Sequence, residues 1–398
     1  MRPRPILTSA LAAAFVLVTG LTSAHAAEPR WASRIDSIVV GHPMSVMVGN
    51  DGQAWYRRGA GIERAPASNE KLLLSMALFD QLGSGRTFLV RAMSLGVDAA
   101  GTIAGDLYLR GEGDPEVTDA RITRLARLIV QAGVRRIEGR VIGVTGPFRR
   151  DWFAPGWKDY FPADYVPLPT ALTFRNNLSP TGVHIDDPER RAAAFLRAEL
   201  RTMGVTVIGK ATAGSAIAGL TDVATITSQP LRTLVQHMDR RSLNFSAEVF
   251  GKALAADGGS AATIANGAAA ICAFEAGQGV TGTCHDASGL SYANRQTAAG
   301  IVRLLWVADT QPWSGTLRMS LPDGGQGTLK GRLAGVRVRA KTGTLDNVSA
   351  LSGWVWSDAA GTWVEFSLLT SGMNEWAAKD LEDQVVHVLA NRASDPTA

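Results

Sequence analysis

Cysteine is nearly missing from this chain: Cys272 and Cys284 are the only two in 398 residues. His285 adjoins the second, but no fourth ligand is evident nearby, so a metal site is poorly supported. An excess of one charge is also missing. Basic residues number 40 and acidic ones 36, a net +4 that falls by two once Arg2 and Arg4 are set aside. The basic residues are spread out, which excludes a nucleic-acid footprint. Repeats and low-complexity tracts are absent, apart from the Ala/Gly-rich Asp257–Ala270, which reads as a loop running into a helix. Beyond the first segment no stretch is long and apolar enough to span a bilayer, which excludes a transmembrane anchor.

What is present begins with an export pattern. Arg2 and Arg4 precede the apolar run Ile6–Leu21, and Ala24-His25-Ala26 has small residues where a signal peptidase cuts. Residues 1–26 therefore read as a signal peptide. No cysteine follows it, so lipid anchoring is not expected. The mature protein is expected beyond the cytoplasmic membrane, in the periplasm. In such a compartment two cysteines this close in sequence are expected to pair as a disulfide. With 46% hydrophobic and 19% charged residues the chain affords a sizeable core.

Periodicity outlines the elements. A helix is predicted over 31–40, then strands Met44–Val48 and Gln53–Arg58 joined by the hairpin signal Asn50-Asp51-Gly52. Strands are predicted at Phe88–Leu95, Ile103–Leu109 and Ile137–Val144, and helices at Ala120–Ala132 and Pro188–Met203. Between them Phe148–Leu178, rich in Pro, Trp, Tyr and Asn, reads as a long ordered loop. Helices return at Leu231–Met238, Ala247–Ala255, Ala262–Glu275 and Thr297–Val307. Strands Val336–Lys341, Ala350–Trp356 and Val364–Thr370 and a helix over Trp376–Asn391 follow.

Three short patterns carry candidate chemistry. Ser68 precedes Leu72, Leu73, Met76, Phe79 and Leu82 at helical spacing, so it is expected to open a buried helix with Lys71 one turn along. A serine hydroxyl needs a base to become a nucleophile, and a lysine serves if burial favours its neutral form. Taken alone, the pair reads more readily as a Ser68 helix cap beside a solvated first-turn Lys71. Ser242-Leu243-Asn244 falls between two helical stretches. There a hydroxyl can relay protons, and a carboxamide offers a donor and an acceptor to a peptide. Lys341-Thr342-Gly343-Thr344 ends an apolar strand. An edge strand pairs with peptide by β-augmentation, Lys341 and both threonine hydroxyls suit a carboxylate, and Gly343 permits close backbone approach.

The order Ser-x-x-Lys, Ser-x-Asn, Lys-Thr-Gly resembles penicillin-binding proteins and class A β-lactamases. The chain further resembles the D-alanyl-D-alanine carboxypeptidase/endopeptidase family, the class C low-molecular-mass penicillin-binding proteins. The resemblance lies in Pro66-Ala-Ser-Asn-Glu-Lys71, Gly105-Asp-Leu-Tyr-Leu-Arg-Gly-Glu-Gly-Asp-Pro115, Asn244-Phe-Ser-Ala-Glu248, Asp286-Ala-Ser-Gly-Leu-Ser291 with Asn294-Arg295, and Lys341-Thr-Gly-Thr-Leu345. Leu243 departs from the usual Asp or Asn, and Ala287 from a glycine.

The resemblance implies an α+β, penicillin-binding-protein/β-lactamase-like transpeptidase fold. A five-stranded antiparallel sheet flanked by helices and a helical half enclose the site, and an inserted α+β domain is added. The expected division is 27–89 and 223–398 for the catalytic domain and 90–222 for the insertion. The implied substrate is a peptidoglycan stem peptide, with β-lactams as covalent inhibitors and no metal or organic cofactor. The implied nucleophile is Ser68, with Lys71 as base, Ser242 as proton relay and Asn244 as substrate and lysine partner. Lys341, Thr342 and Thr344 are implied for the terminal carboxylate. A β-lactamase-like hydrolase shares the motifs but is not expected to carry the long stretch between Ser68 and Ser242. A non-enzymatic cell-wall scaffold is not expected to keep all five of Ser68, Lys71, Ser242, Asn244 and Lys341.

Overall fold

Helix α1 (Arg30–Val39) leads into a hairpin of β1 (Met44–Asn50) and β2 (Gln53–Arg58). The computed structural model describes residues 30–396; the expected signal peptide, 1–26, lies outside them. Asp51 and Gly52 turn the hairpin with φ of +48° and +79°. Two left-handed residues match the twist of the flanking strands. A 3-10 turn, Ala67–Asn69, then meets α2 (Glu70–Leu82). A run of shorter elements follows: β3 (Leu89–Ser94), β4 (Thr102–Ile103), β5 (Leu107–Gly111), α3 (Asp119–Gln131), β6 (Arg136–Ile137), β7 (Val141–Val144), α4 (Phe161–Asp164), α5 (Pro188–Thr202), β8 (Thr206–Val207), β9 (Ala211–Gly214) and β10 (Thr221–Thr227). Five helices come next: α6 (Leu231–Arg241), α7 (Asn244–Asp257), α8 (Ile264–Gly277), α9 (Ala298–Asp309) and α10 (Ser314–Ser320). β11 (Val338–Leu345), β12 (Val348–Ser357), β13 (Thr362–Ser371) and α11 (Glu375–Arg392) end the described chain.

The first sheet has the order β11-β12-β13-β1-β2 and is antiparallel throughout. Its strands alternate between two cores, as the two-residue period of a strand requires. Val46, Val48, Leu351, Val355, Phe366 and Leu368 pack with α1 and α11. Met47, Ala350, Trp354 and Leu369 face the helical half instead. Within that half α2 is buried all round: Leu72, Leu73, Leu74, Met76, Leu78 and Phe79 are at most 1% exposed. Each such side chain contributes about 1.5–3 kcal/mol by leaving water. The α+β architecture therefore agrees with the fold class that the motifs imply.

A second five-stranded sheet, β10-β3-β5-β7-β9, is built from residues 89–227 alone, with its own core against α3 and α5. Here the structure differs from the pattern. Ile103–Leu109 and Ile137–Val144 are each broken in two. β4, β6 and β8 form a separate parallel three-stranded sheet, while β5, β7 and β9 belong to the larger one. The switch occurs at stacked glycines. Gly139 N donates to Gly105 O at 3.0 Å and Gly209 N to Gly139 O at 2.9 Å. A Cβ on Gly139 would lie 2.5 Å from Gly105 O, and one on Gly209 2.4 Å from Gly139 O. Thr102-Ile-Ala-Gly105, Arg136-Ile-Glu-Gly139 and Thr206-Val-Ile-Gly209 are thus one short pattern used three times, where the sequence reading finds no repeats. β8 to β10 and α10 lie where that reading predicts no element. The first two strands and the helix are too short to carry a clear period.

The segment 148–178 is largely irregular, holding α4 and the 3-10 turn Arg175–Asn177. It leaves the second sheet and runs along the helical half. There Lys252 Nζ, buried on α7, donates to the carbonyls of Arg149, Asp151 and Pro169 at 2.9, 3.0 and 3.1 Å.

Candidate active site

Ser68 sits within the 3-10 turn, and α2 begins only at Glu70. The expected direct helix start is delayed because Ala67 has a left-handed φ of +47°. Two glycines let this turn in. A Cβ on Gly289 would be 1.9 Å from Ala67 O, and one on Gly343 would be 2.8 Å from Pro66 O and 3.1 Å from Ser68 N. Gly343 thus makes room for the nucleophile turn, a use of that glycine that the sequence reading did not include.

Lys71 is fully buried and its Nζ has three neighbours: Ser68 Oγ at 3.0 Å, Asn244 Oδ1 at 2.8 Å and Ser288 O at 2.5 Å. The last two are acceptors only. They take the two N–H groups of a neutral amine and leave its lone pair facing the Ser68 hydroxyl. Burial pushes the Lys71 amine down to about 8, against the opposing charges of Asp286, Glu248, Asp239 and Glu70.

Ser242 caps α6 in a left-handed conformation, φ +55°, and Asn244 opens α7. That bend presents both side chains to the site, as the position between two helices leads one to expect. Lys341 Nζ donates to Ser242 Oγ at 3.0 Å and to Thr342 O at 2.9 Å. Lys341 is buried, and burial followed by the Lys71 charge lowers its pKa, while Asp239 opposes the shift. Its motif lies inside β11, which runs to Leu345 rather than ending at Lys341, and β11 is an edge strand. Thr342 Oγ1 donates to Thr328 Oγ1 at 2.7 Å, whereas Thr344 is exposed. Ser68, Lys71, Ser242, Asn244 and Lys341 are therefore linked by hydrogen bonds in two groups, one around each lysine.

Residues 286–294 shape the floor. The Asp286 carboxylate accepts from Trp157 Nε1, Ser288 Oγ, Gly289 N, Ser291 N and Asn294 Nδ2, at 2.6 to 3.1 Å. Glu248 Oε1 accepts from Ala287 N at 3.1 Å and Ser288 N at 2.8 Å. Together they turn the Ser288 carbonyl to Lys71. Burial, and then the Asp286 charge, push the Glu248 carboxyl up to about 8. Burial, with Glu275 next, raises Glu70 well above the usual range.

The roof comes from the 148–178 segment. Tyr165 O accepts from Asn244 Nδ2 at 3.4 Å, and Lys158 pairs with Asp346 in the turn after β11. A pocket of about 460 Å³ opens beside Asn244, between Tyr165, Leu243, Arg241, His237 and Glu116.

Comparison with known proteins decides the family. The pattern of the D-Ala-D-Ala carboxypeptidase 3 (S13) family matches residues 36–183 and 169–392. The chain belongs to this family. It is 25% identical to the D-alanyl-D-alanine carboxypeptidase of Actinomadura sp. (strain R39), over 86% of this chain and 80% of that one. It is 29% identical to carboxypeptidase DacB of Mycolicibacterium smegmatis, over 80% of this chain and 74% of that one. Its fold is similar to penicillin binding protein 4 from Haemophilus influenzae. The TM-score is 0.77 at 20% identity, covering 89% of this chain and 97% of that one. The same protein complexed with a β-lactam gives 0.72.

Cys272 and Cys284 are bonded to each other, with Cα atoms 5.9 Å apart. Glu275 lies close to both sulfurs, but sulfurs spent on a disulfide are not thiolate ligands, so this S13 chain has no metal site there. Sequence reasoning missed Asp239, Thr328 and the carbonyls of Ser288 and Tyr165. Only Asp239 had a legible signal: it follows Val235 by four on the apolar stripe of α6.

Proposed function

We propose that this S13 protein is a serine-type D-Ala-D-Ala carboxypeptidase that acts on peptidoglycan stem peptides from the periplasmic side. The observation that carries the reading is the geometry at Lys71, where two acceptor-only oxygens leave its lone pair to Ser68. Lys71 takes the Ser68 proton as Ser68 Oγ bonds to the carbonyl carbon between the two D-alanines. The backbone N–H groups of Ser68 and Thr344 hold the oxyanion. Ser242 gives its proton to the leaving amine and is resupplied with the proton that Lys71 took from Ser68, the C–N bond breaks, and free D-alanine departs, which leaves Lys71 neutral again. Water then gives a proton to Lys71 as it attacks the ester, and Lys71 hands that proton to Ser68 Oγ as the ester bond breaks. Lys341, Thr342 and Thr344 hold the terminal carboxylate, and Asn244 orients the peptide. We further propose the segment 90–222 as an inserted domain; limited proteolysis should cut near its ends or within 148–178, and cuts confined to the Ser242 region would sink that boundary.

A β-lactam presents a strained amide and an anion to the same groups. Its ring-opened leaving group stays tethered and blocks the water, so a fluorescent penicillin should label Ser68 persistently. Ser68→Ala should abolish both labelling and D-alanine release. Rapid penicillin turnover with intact D-alanyl-D-alanine peptides would instead make the protein a β-lactamase-like hydrolase. Absence of both reactions would leave a wall-binding scaffold.

A further inference from the structure

Ser242 and Leu243 are neighbours with different surroundings. Ser242 Oγ accepts from Lys341 Nζ at 3.0 Å. Leu243, with Arg241 on the other side of Ser242, instead lines the pocket of about 460 Å³ beside Asn244. The left-handed backbone of Ser242, φ +55°, makes that divergence possible. The volume is that of a small-molecule site. Asn244 is common to both spaces, since its Oδ1 accepts from Lys71 and its Nδ2 donates to Tyr165 O at the pocket rim.

Polar groups around the pocket are largely taken. His237 Nδ1 lies 2.8 Å from Glu116 Oε1, and His184 Nδ1 donates to Pro162 O at 2.5 Å. Arg241 is exposed, so water solvates it. The apolar lining is Leu243, Phe245, Tyr165, Pro167 and Leu178. Phe245 and Pro167 are buried, and Leu243 and Leu178 half-buried. Leu243 is also the position where the chain departs from the usual Asp or Asn of the motif. An acid or amide there brings a polar demand of its own, whereas leucine offers only carbon. Asn176 and Leu178 belong to a wall whose backbone is held in a sparsely populated region: Arg175, Asn176 and Asn177 have φ of +52°, +53° and +55°. The buried Asn177 amide secures it, donating to Leu168 O at 2.7 Å and Thr170 Oγ1 at 2.9 Å and accepting from Phe174 N at 2.8 Å. Strain kept in this way collects at ligand sites.

With the leaving amine at Ser242 and the terminal carboxylate at Lys341, Thr342 and Thr344, two substituents of the leaving residue's α-carbon are fixed. Its side chain is the substituent left to pass Asn244 into the space lined by Arg241 and Leu243. The methyl group of D-alanine fills little of it. We propose that this pocket is the subsite for the leaving residue's side chain, that Leu243 sets its specificity, and that the enzyme removes terminal D-amino acids with apolar side chains larger than that of D-alanine. The inference rests on the acyl-enzyme reaction given above: Ser68 takes the same acyl group, and only the departing amine differs.

The test is kcat/KM for matched stem peptides ending in D-Ala-D-Ala, D-Ala-D-Leu, D-Ala-D-Phe and D-Ala-D-Glu, with purified wild type, Leu243→Asn and Leu243→Ala. Asparagine is close to leucine in size and removes only the apolar contact; alanine enlarges the pocket. Wild type should prefer D-leucine to D-alanine as leaving residue by about tenfold, chiefly through KM. Leu243→Asn should bring that ratio to about one, and Leu243→Ala should move the preference from D-leucine to D-phenylalanine. A folding defect lowers all four substrates together and does not reorder them. Faster release of D-alanine than of D-leucine and D-phenylalanine by wild type overturns the proposal, as does a ratio that Leu243→Asn leaves in place. Preference for D-glutamate would mean that Arg241 reads a charge there, and overturns it too. If wild type releases no terminal residue from any peptide and penicillin does not label Ser68, the acyl-enzyme reading itself fails, and this subsite with it.

Discussion

Lys71 Nζ stands 2.5 Å from the carbonyl oxygen of Ser288, an atom that can accept but never donate. The lysine therefore reaches Ser68 with its orientation set from behind. Substituting Lys71 by Ala should slow penicillin acylation by at least about a hundredfold, the lower range for loss of a general base. Lys71→Arg should not rescue it, since a guanidinium does not release its proton. In wild type the acid limb of acylation should fall near the lysine's value of about 8. A wild-type rate that is flat from pH 6 to 9 would count against Lys71 as the base.

Glu248 makes a prediction about stability. Its carboxyl is pushed up to about 8 in the fold from an ordinary 4.5. Between those values the native state holds a proton that the unfolded chain has lost. Its contribution is therefore present below pH 4.5 and is lost as pH rises through about 8. Glu248→Gln keeps an acceptor for the Ala287 and Ser288 amides. Melting temperature against pH should decline less steeply for the variant than for wild type between pH 5 and 8.5. Parallel curves would contradict the raised carboxyl.

Gly343→Ala should separate catalysis from folding. Its new Cβ meets Pro66 O at 2.8 Å and Ala67 Cβ at 3.0 Å, so the nucleophile turn must shift by tenths of an ångström. Acylation should fall about tenfold or more, with stability lowered by roughly 1–2 kcal/mol. Gly289→Ala is harsher, because the contact is 1.9 Å and φ is +77°. It should cost roughly 2–4 kcal/mol in chemical denaturation. Wild-type behaviour in both would mean that the three segments are not packed as described.

The Cys272–Cys284 bridge closes a short loop beside α8. Replacing both cysteines by serine should cost about 2–3 kcal/mol of stability by the loop-entropy argument. Acylation at 25 °C should be unchanged, because neither cysteine belongs to the lysine groups. Free thiols titrating in the oxidised, folded protein would refute the pairing.

How much of this was legible in the sequence depended on whether the signal was local. The hairpin at Asp51-Gly52 and the stripe of α2 follow from side chains a few residues apart. So do the three motifs, since each places its chemistry within four residues. The break between β4 and β5 was not legible. Gly105 acts there by meeting Gly139, far along the chain, and a lone glycine inside a strand pattern does not name its neighbour. The start of α2 was misplaced for a similar reason, because Ala67 is held left-handed by Gly289 and Gly343. Carbonyl groups at Ser288 and Tyr165 carry no residue identity at all. Asp239 could have been read from the apolar stripe of α6, but the same pattern is also what an ordinary helix end shows.

Asn244 divides its amide between Lys71 and the backbone of Tyr165, while Lys252, two turns along α7, grips the same 148–178 segment by three carbonyls. A catalyst trimmed to the stretches before residue 89 and after residue 227 would thus keep the Ser-x-x-Lys, Ser-x-Asn and Lys-Thr-Gly motifs and still lack a wall. The same holds for chimaeras. A foreign module spliced between β3 and β10 would have to return a main-chain oxygen to the Tyr165 position before the host enzyme could hold Asn244 still. Swapping such modules is, for this architecture, an alteration of the catalytic chamber itself.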